Sequence, residues 1–90
     1  MISLIENEEF LNKRFEQEDL SARDYEMCNF SSCDFSSLEL SGKAFIECDF
    51  QDCNFSMTQV RDASFQEVSF VNCKMTGVQF NECKTMLISF

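Results

Sequence analysis

Taking every fifth residue from Phe10 collects Phe10, Phe15, Leu20, Tyr25, Phe30, Phe35, Leu40, Phe45, Phe50, Phe55, Val60, Phe65, Phe70, Met75, Phe80, Thr85 and Phe90. Sixteen of these seventeen are apolar or aromatic, and all 11 phenylalanines of the chain fall in this one register; Thr85 is the exception. No helix repeats at five, because about 3.6 residues per turn would smear such a set around the whole cylinder. A strand alternates faces at period two and would flip each successive member. The backbone therefore turns a corner every five residues, always in the same sense.

Two residues before each central position lies a second inward candidate. From residue 28 these are Cys28, Cys33, Leu38, Lys43, Cys48, Cys53, Thr58, Ala63, Val68, Cys73, Val78, Cys83 and Ile88, and they include all six cysteines. Cysteine is small and readily buried, which suits a narrow interior. Ser or Thr often follows the central residue (Ser31, Ser36, Ser41, Ser56, Thr76), and Asp or Asn often precedes it (Asn29, Asp34, Asp49, Asn54).

The units Cys28–Ser32, Cys33–Ser37 and Cys53–Met57 resemble the pentapeptide-repeat family, whose loose pattern is Ala/Cys/Val, Asp/Asn, Leu/Phe, Ser/Thr/Arg and any residue. The resemblance covers residues 8–90. It implies an all-β fold, a right-handed quadrilateral parallel β-helix of about four coils, with four pentapeptides per coil. Residues 20 apart should then stack in columns. The sequence supplies Phe10/Phe30/Phe50/Phe70/Phe90, Phe15/Phe35/Phe55/Met75, Leu20/Leu40/Val60/Phe80 and Tyr25/Phe45/Phe65/Thr85, with cysteine ladders Cys28/Cys48 and Cys33/Cys53/Cys73. Phe30, Phe35, Phe50, Phe55, Phe70, Cys33, Cys53 and Cys73 are the expected core.

The first coil fits less well, with Glu8, Lys13, Glu18 and Arg23 in the small-residue slots. Charged groups are not buried unpaired, so residues 1–24 read as an N-terminal cap or imperfect first coil before a repeat domain over 25–90. Lys43 occupies the same kind of slot and is expected to snorkel outward with local irregularity. Phe90 ends the sequence on a core position. An open solenoid end exposes apolar groups and strand edges. The chain therefore reads as part of a longer protein, or as one whose end is covered by another copy, in a homodimer or by end-to-end stacking.

Little points to chemistry. The chain has no His, and nucleophilic catalysis would need a base. The cysteine spacing of four intervening residues lacks the paired arrangement that zinc sites use. Carboxylate pairs such as Asp49 and Asp52 have no evident cleft to perturb them. The expectation is a non-enzymatic protein with no cofactor and no metal. Met1–Ile5 is too short for a signal peptide or membrane span and is followed by Glu6, Glu8 and Glu9. Six cysteines without an export signal point to a reducing cytoplasm and free thiols.

The net charge is -9, which argues against nucleic acid and anionic membranes as partners and for a basic protein surface. Residues 1–60 hold 13 acidic against 4 basic residues, and residues 61–90 hold three of each. Seventeen units at about 4.8 Å per coil span roughly 20 Å, over which duplex DNA carries roughly 12 charges. The chain's -9 is within a factor of two of that. Residues 63–80 are similar to part of AlbG and residues 15–24 to the start of Qnr proteins. Within the family, the Qnr, MfpA and AlbG group implies an acidic mimic of DNA that binds DNA gyrase or topoisomerase IV and confers antibiotic resistance or immunity. The outward carboxylates expected to meet the partner are Glu26, Asp34, Glu39, Glu47, Asp49 and Asp52. The alternative is a scaffolding repeat protein without topoisomerase activity. Members of that group are roughly twice as long, and some carry loops that interrupt the repeats; none is visible here.

Overall fold

The computed structural model describes residues 4–20, 24–83 and 85–89, and the side chains of residues 4–20 and 24–83. The chain winds into a four-walled parallel β-solenoid. Wall one stacks β1 (Leu4–Glu6), β3 (Asp24–Glu26), β5 (Ala44–Ile46) and the start of β7 (Ser64–Val71). Wall two stacks β2 (Glu9–Leu11), β4 (Asn29–Ser31), β6 (Asp49–Gln51) and the end of β7. Because β7 runs along both walls, the strands form one sheet in the order β1-β3-β5-β7-β6-β4-β2, and β8 (Thr85–Ser89) pairs with β7. Single bridges Arg14–Asp34–Asn54–Lys74 make wall three, and Glu39–Gln59 makes wall four.

Every ladder from Leu4 to Ser64 keeps the register of four pentapeptides per turn: Leu4 faces Asp24, Asp24 faces Ala44, and Ala44 faces Ser64. This amounts to three regular turns. The next turn is longer. Ser64 faces Thr85 and Phe65 faces Met86, until a bulge between Gln66 and Val68 restores the original spacing, with Val68 facing Ile88. Thr85 is thus displaced from the column of Phe65, which accounts for the one misfit in the period-five register. The extra residue enters between Thr76 and Glu82. Met57 N–H donates to Thr76 O and Asp62 N–H to Glu82 O, so the later segment advances one position further than the earlier one beside it. A 3-10 turn, Phe80–Glu82, occupies that segment.

The interior is built of aromatic columns. Phe30, Phe35, Phe50, Phe55 and Phe70 are buried with Cys33 and Cys53, while Cys73 is only half-buried. Phe10, Phe30, Phe50 and Phe70 stack at successive ring-centroid distances of 4.9, 4.7 and 5.2 Å. Rings on neighbouring walls meet edge to face, as Phe50 and Phe55 do at 5.1 Å and 78°. Both geometries suit the ring quadrupole.

The cysteine slots hold more than small residues. Each of five thiols donates to the carbonyl of a central residue on the level below: Cys28 to Ile5, Cys33 to Phe10, Cys48 to Tyr25, Cys53 to Phe30 and Cys73 to Phe50, at 3.3–3.6 Å. Thr58 Oγ1 makes the same bond to Phe35 O at 2.9 Å. So does Lys43 Nζ, to Leu20 O at 2.7 Å. Lys43 therefore stays half-buried in an intact ladder between β3 and β5, rather than causing the irregularity expected of it. Of the first-coil charges, Glu8 and Glu18 are exposed and Lys13 lies near Asp19 at 3.9 Å; Arg23 lies outside the described residues.

The corners explain how a chain with two glycines and no proline can turn so often. Thirteen described residues have positive φ, and each stands two positions after a central residue. Eleven are not glycine, and they include Met27, Glu47, Met57 and Glu67 at φ 52–59°. Such residues avoid this region by roughly 1–2 kcal/mol, so the closed coil imposes the conformation. It does so through bonds between levels, as when Met27 N–H donates to Ile46 O at 2.9 Å and Glu47 N–H to Gln66 O at 2.8 Å. At Gly77 a Cβ would also collide with Met57 Sδ.

Candidate protein-binding surface

Stacking orders the outside as well as the inside. The corner between walls one and two carries carboxylates at every described level. The first level has Glu6, Glu8 and Glu9, the second Glu26 with Asp24 nearby, the third Glu47 and Asp49, and the fourth Glu67. Glu6 and Glu26 are direct Cα partners in the ladder. Like charges on adjacent strands repel, so this edge is held together by the core beneath it. Wall two beside the edge is hollowed into a groove of about 330 Å³, lined by Glu9, Asn29, Ser31, Asp49, Gln51, Ser69 and Val71.

The six carboxylates expected from sequence do not share one surface. Glu26, Glu47 and Asp49 lie on this edge, and Asp52 lies at the next corner, between walls two and three, with φ 54°. Asp34 is on wall three, where its Oδ1 accepts the Ser36 N–H at 2.9 Å. That bond, with the Ser36 hydroxyl and the Arg14 charge, holds its carboxyl below the usual range. Asn54 makes the same bond to Ser56 N–H at 2.9 Å, so Asp34 serves a repeated turn. Glu39 is on wall four. Its N–H donates to Gln17 Oε1 at 2.9 Å and its carbonyl accepts from Gln17 Nε2 at 3.0 Å. The Gln17 side chain thus stands in for a missing strand on the first level. Glu6, Glu9 and Glu67 belong to the acidic edge, although the sequence reading does not single them out. The column spacing, applied to outward positions, pairs Glu6 with Glu26 and Glu47 with Glu67 and so carries the signal that finds them.

The described residues include no group of three or more His, Cys, Asp or Glu placed to hold a metal ion, and no helix long and apolar enough to cross a membrane. The fold spans 29 × 26 × 23 Å, so the molecule is a block rather than a rod at this length.

A solenoid with four five-residue walls, a Phe ladder and small hydrogen-bonding residues in its slots defines the class. Residues 23–90 match the family model of the pentapeptide repeat region, and the chain belongs to the pentapeptide-repeat family. Among solved structures it is similar to full-length QnrB1, a plasmid-mediated fluoroquinolone resistance protein. The two share 23% identity over 87% of this chain and 49% of that one, with a TM-score of 0.66. Two trypsin-treated variants of QnrB1 superpose with a TM-score of 0.72 each, at 22% and 23% identity, covering 92% and 97% of this chain and 53% of theirs. At these identities the likeness establishes the fold, and this chain spans about half the length of those proteins. No curated protein matches the sequence.

Proposed function

We propose that this chain is a non-enzymatic, cytoplasmic binding protein whose acidic edge occupies a basic groove that normally receives duplex DNA. The partner would be a type II topoisomerase, DNA gyrase or topoisomerase IV, and the outcome protection from a quinolone-type or albicidin-like antibiotic. The observation that carries this reading is the row of carboxylates repeated at each level along one corner. Levels about 4.8 Å apart repeat negative charge along the axis, as phosphates do along a duplex. Similarity in fold to a fluoroquinolone resistance protein supports the choice of target.

The test is a gyrase supercoiling assay with the protein titrated in, with and without a fluoroquinolone. Inhibition or rescue at micromolar protein, weakened by salt and competed by duplex DNA, is the expected result. Binding that ignores salt and duplex DNA would favour a scaffold that joins proteins through its walls. No effect on gyrase or topoisomerase IV at any salt would remove the topoisomerase reading.

A further inference from the structure

We propose that Cys53 and Cys73 are a dithiol pair that a peroxide converts into a disulfide, stapling the last regular level of the solenoid to the irregular turn that follows it. The pair follows from register. Phe50 faces Phe70 and Asn54 faces Lys74, which stacks Cys53 and Cys73 on adjacent levels. Neighbouring strands lie about 4.8 Å apart, inside the range of about 4.4–6.8 Å that disulfides span between Cα atoms. The two thiols occupy equivalent slots, Cys53 donating to Phe30 O at 3.3 Å and Cys73 to Phe50 O at 3.4 Å.

Cys28/Cys48 and Cys33/Cys53 are stacked too, but only Cys53/Cys73 has an accessible member. Cys28, Cys33, Cys48 and Cys53 are at most 2% exposed, whereas Cys73 is half-buried. The neighbouring Cys53 thiol lowers the Cys73 thiol from its ordinary value, toward the reactive thiolate. The same contact, with burial, pushes Cys53 up. Cys83 is also half-buried, but burial raises its thiol, and the lengthened turn sets it one coil after Asp62, which offers no second thiol.

The chemistry balances with one peroxide. The Cys73 thiolate attacks a peroxide oxygen, the O–O bond breaks, and hydroxide leaves and is protonated to water, giving a sulfenic acid. The Cys53 sulfur then attacks the Cys73 sulfur, the S–O bond breaks, and a second water carries away the Cys53 proton. Two thiols and one peroxide become one disulfide and two waters. Each sulfur gives up one electron and the peroxide takes both. The new bond ties the buried column of Phe50 and Phe70 to the level where Met75, Val78 and Phe80 are half-buried.

The test is hydrogen peroxide titration of the fully reduced protein, followed by intact mass, peptide mapping and thermal melting. The expected result is a loss of about 2 Da and a cross-linked peptide joining Cys53 to Cys73. The melting midpoint should rise by on the order of 10 °C, and dithiothreitol should reverse both changes. Cys53→Ser should stop at a Cys73 sulfenic acid, about 16 Da heavier and trapped by dimedone. Cys73→Ser should abolish the reaction, and Cys83→Ser should leave it unchanged. Serine suits these slots, since the Thr58 hydroxyl fills the equivalent one at 2.9 Å from Phe35 O. A cross-link mapped to Cys33–Cys53, a disulfide-linked dimer, or no loss of mass in excess peroxide would overturn the proposal.

Discussion

Between Asp24 and Val71 every central side chain is buried, from Tyr25 to Phe70, whereas the next two on the following level, Met75 and Phe80, are half-exposed. The two regions share a five-residue pattern but differ in what stacks on what. In the middle levels like lies on like: Phe35 and Phe55 stack at 4.9 Å and 4°, and Phe30 and Phe50 at 4.7 Å and 8°. On the last level Met75 follows Phe55, Phe80 follows Val60, and Val78 follows the hydrogen-bonding Thr58. Phe80 meets Phe65 and Phe70 edge-on, at 6.2 and 6.1 Å. There the turn takes an extra residue and winds into a 3-10 segment. The lesson is that the regular four-unit coil goes with stacked aromatic columns: it tolerates unlike slot neighbours such as Leu38 and Thr58 or Lys43 and Ala63, and lapses on the level where ring no longer stacks on ring.

Core truncation should break the comparison most sharply. Phe50→Ala removes a ring stacked on both sides and is expected to cost about 3–5 kcal/mol, while Phe80→Ala should cost less than about half as much. Urea melts of both variants measure the difference. Equal losses would mean the two levels are packed alike. Next comes the slot hydrogen bond. Thr58→Val removes the 2.9 Å bond to Phe35 O, which keeps the Leu38 N–H at 3.2 Å, and should cost about 0.5–1.5 kcal/mol, whereas Thr58→Cys should be close to neutral, because thiols do the same work on neighbouring walls.

The corners predict a gain. Met27 sits at φ 53° with its side chain exposed, so Met27→Asn should stabilise by roughly 0.5–1 kcal/mol, since Asn tolerates this region. A loss in the same melt would mean that Met27 packs usefully. The smallest effect concerns Lys43. Burial lowers its ammonium from 10.5, with Asp24 opposing. The charged form is thus disfavoured in the fold, and the unfolded chain binds more protons in the window just below 10.5. Through this group, stability should rise with pH across that window. Lys43→Thr keeps a donor in the slot and should remove that contribution to the slope, as urea midpoints between neutral and alkaline pH would show.

Much of this is legible in sequence because large side chains advertise themselves. Eleven phenylalanines in one register require a corner every five residues, and the stacked columns follow from there. The misfit of Thr85 even marks the long turn, without saying where its extra residue enters. What stays hidden depends on contacts between levels. The Gln17 amide that caps Glu39 looks like any exposed glutamine in sequence. The positive φ of Met27, Glu47, Met57 and Glu67 comes from coil closure, against local preference. Cysteine's size suggests its place inside, but its bond to a carbonyl on the level below needs the coil geometry. The acidic edge is half-visible. An outward position picks out Glu26, Glu47 and Asp49, but equally Asp34 and Glu39, which stacking sends to other walls.

The most direct test of the central proposal, a charged edge that meets a basic groove, compares two variants of equal charge. One is Glu26→Gln, Glu47→Gln, Asp49→Asn and Glu67→Gln on the acidic corner. The other is Glu18→Gln, Glu39→Gln, Asp62→Asn and Glu82→Gln, on wall four and its far corner. The measurement is the Kd for gyrase across a salt series. The corner variant should bind at least about tenfold more weakly with a shallower salt slope, while the wall-four variant stays near the parent. Equal weakening in both would show that only net charge matters, and would contradict an edge built for recognition.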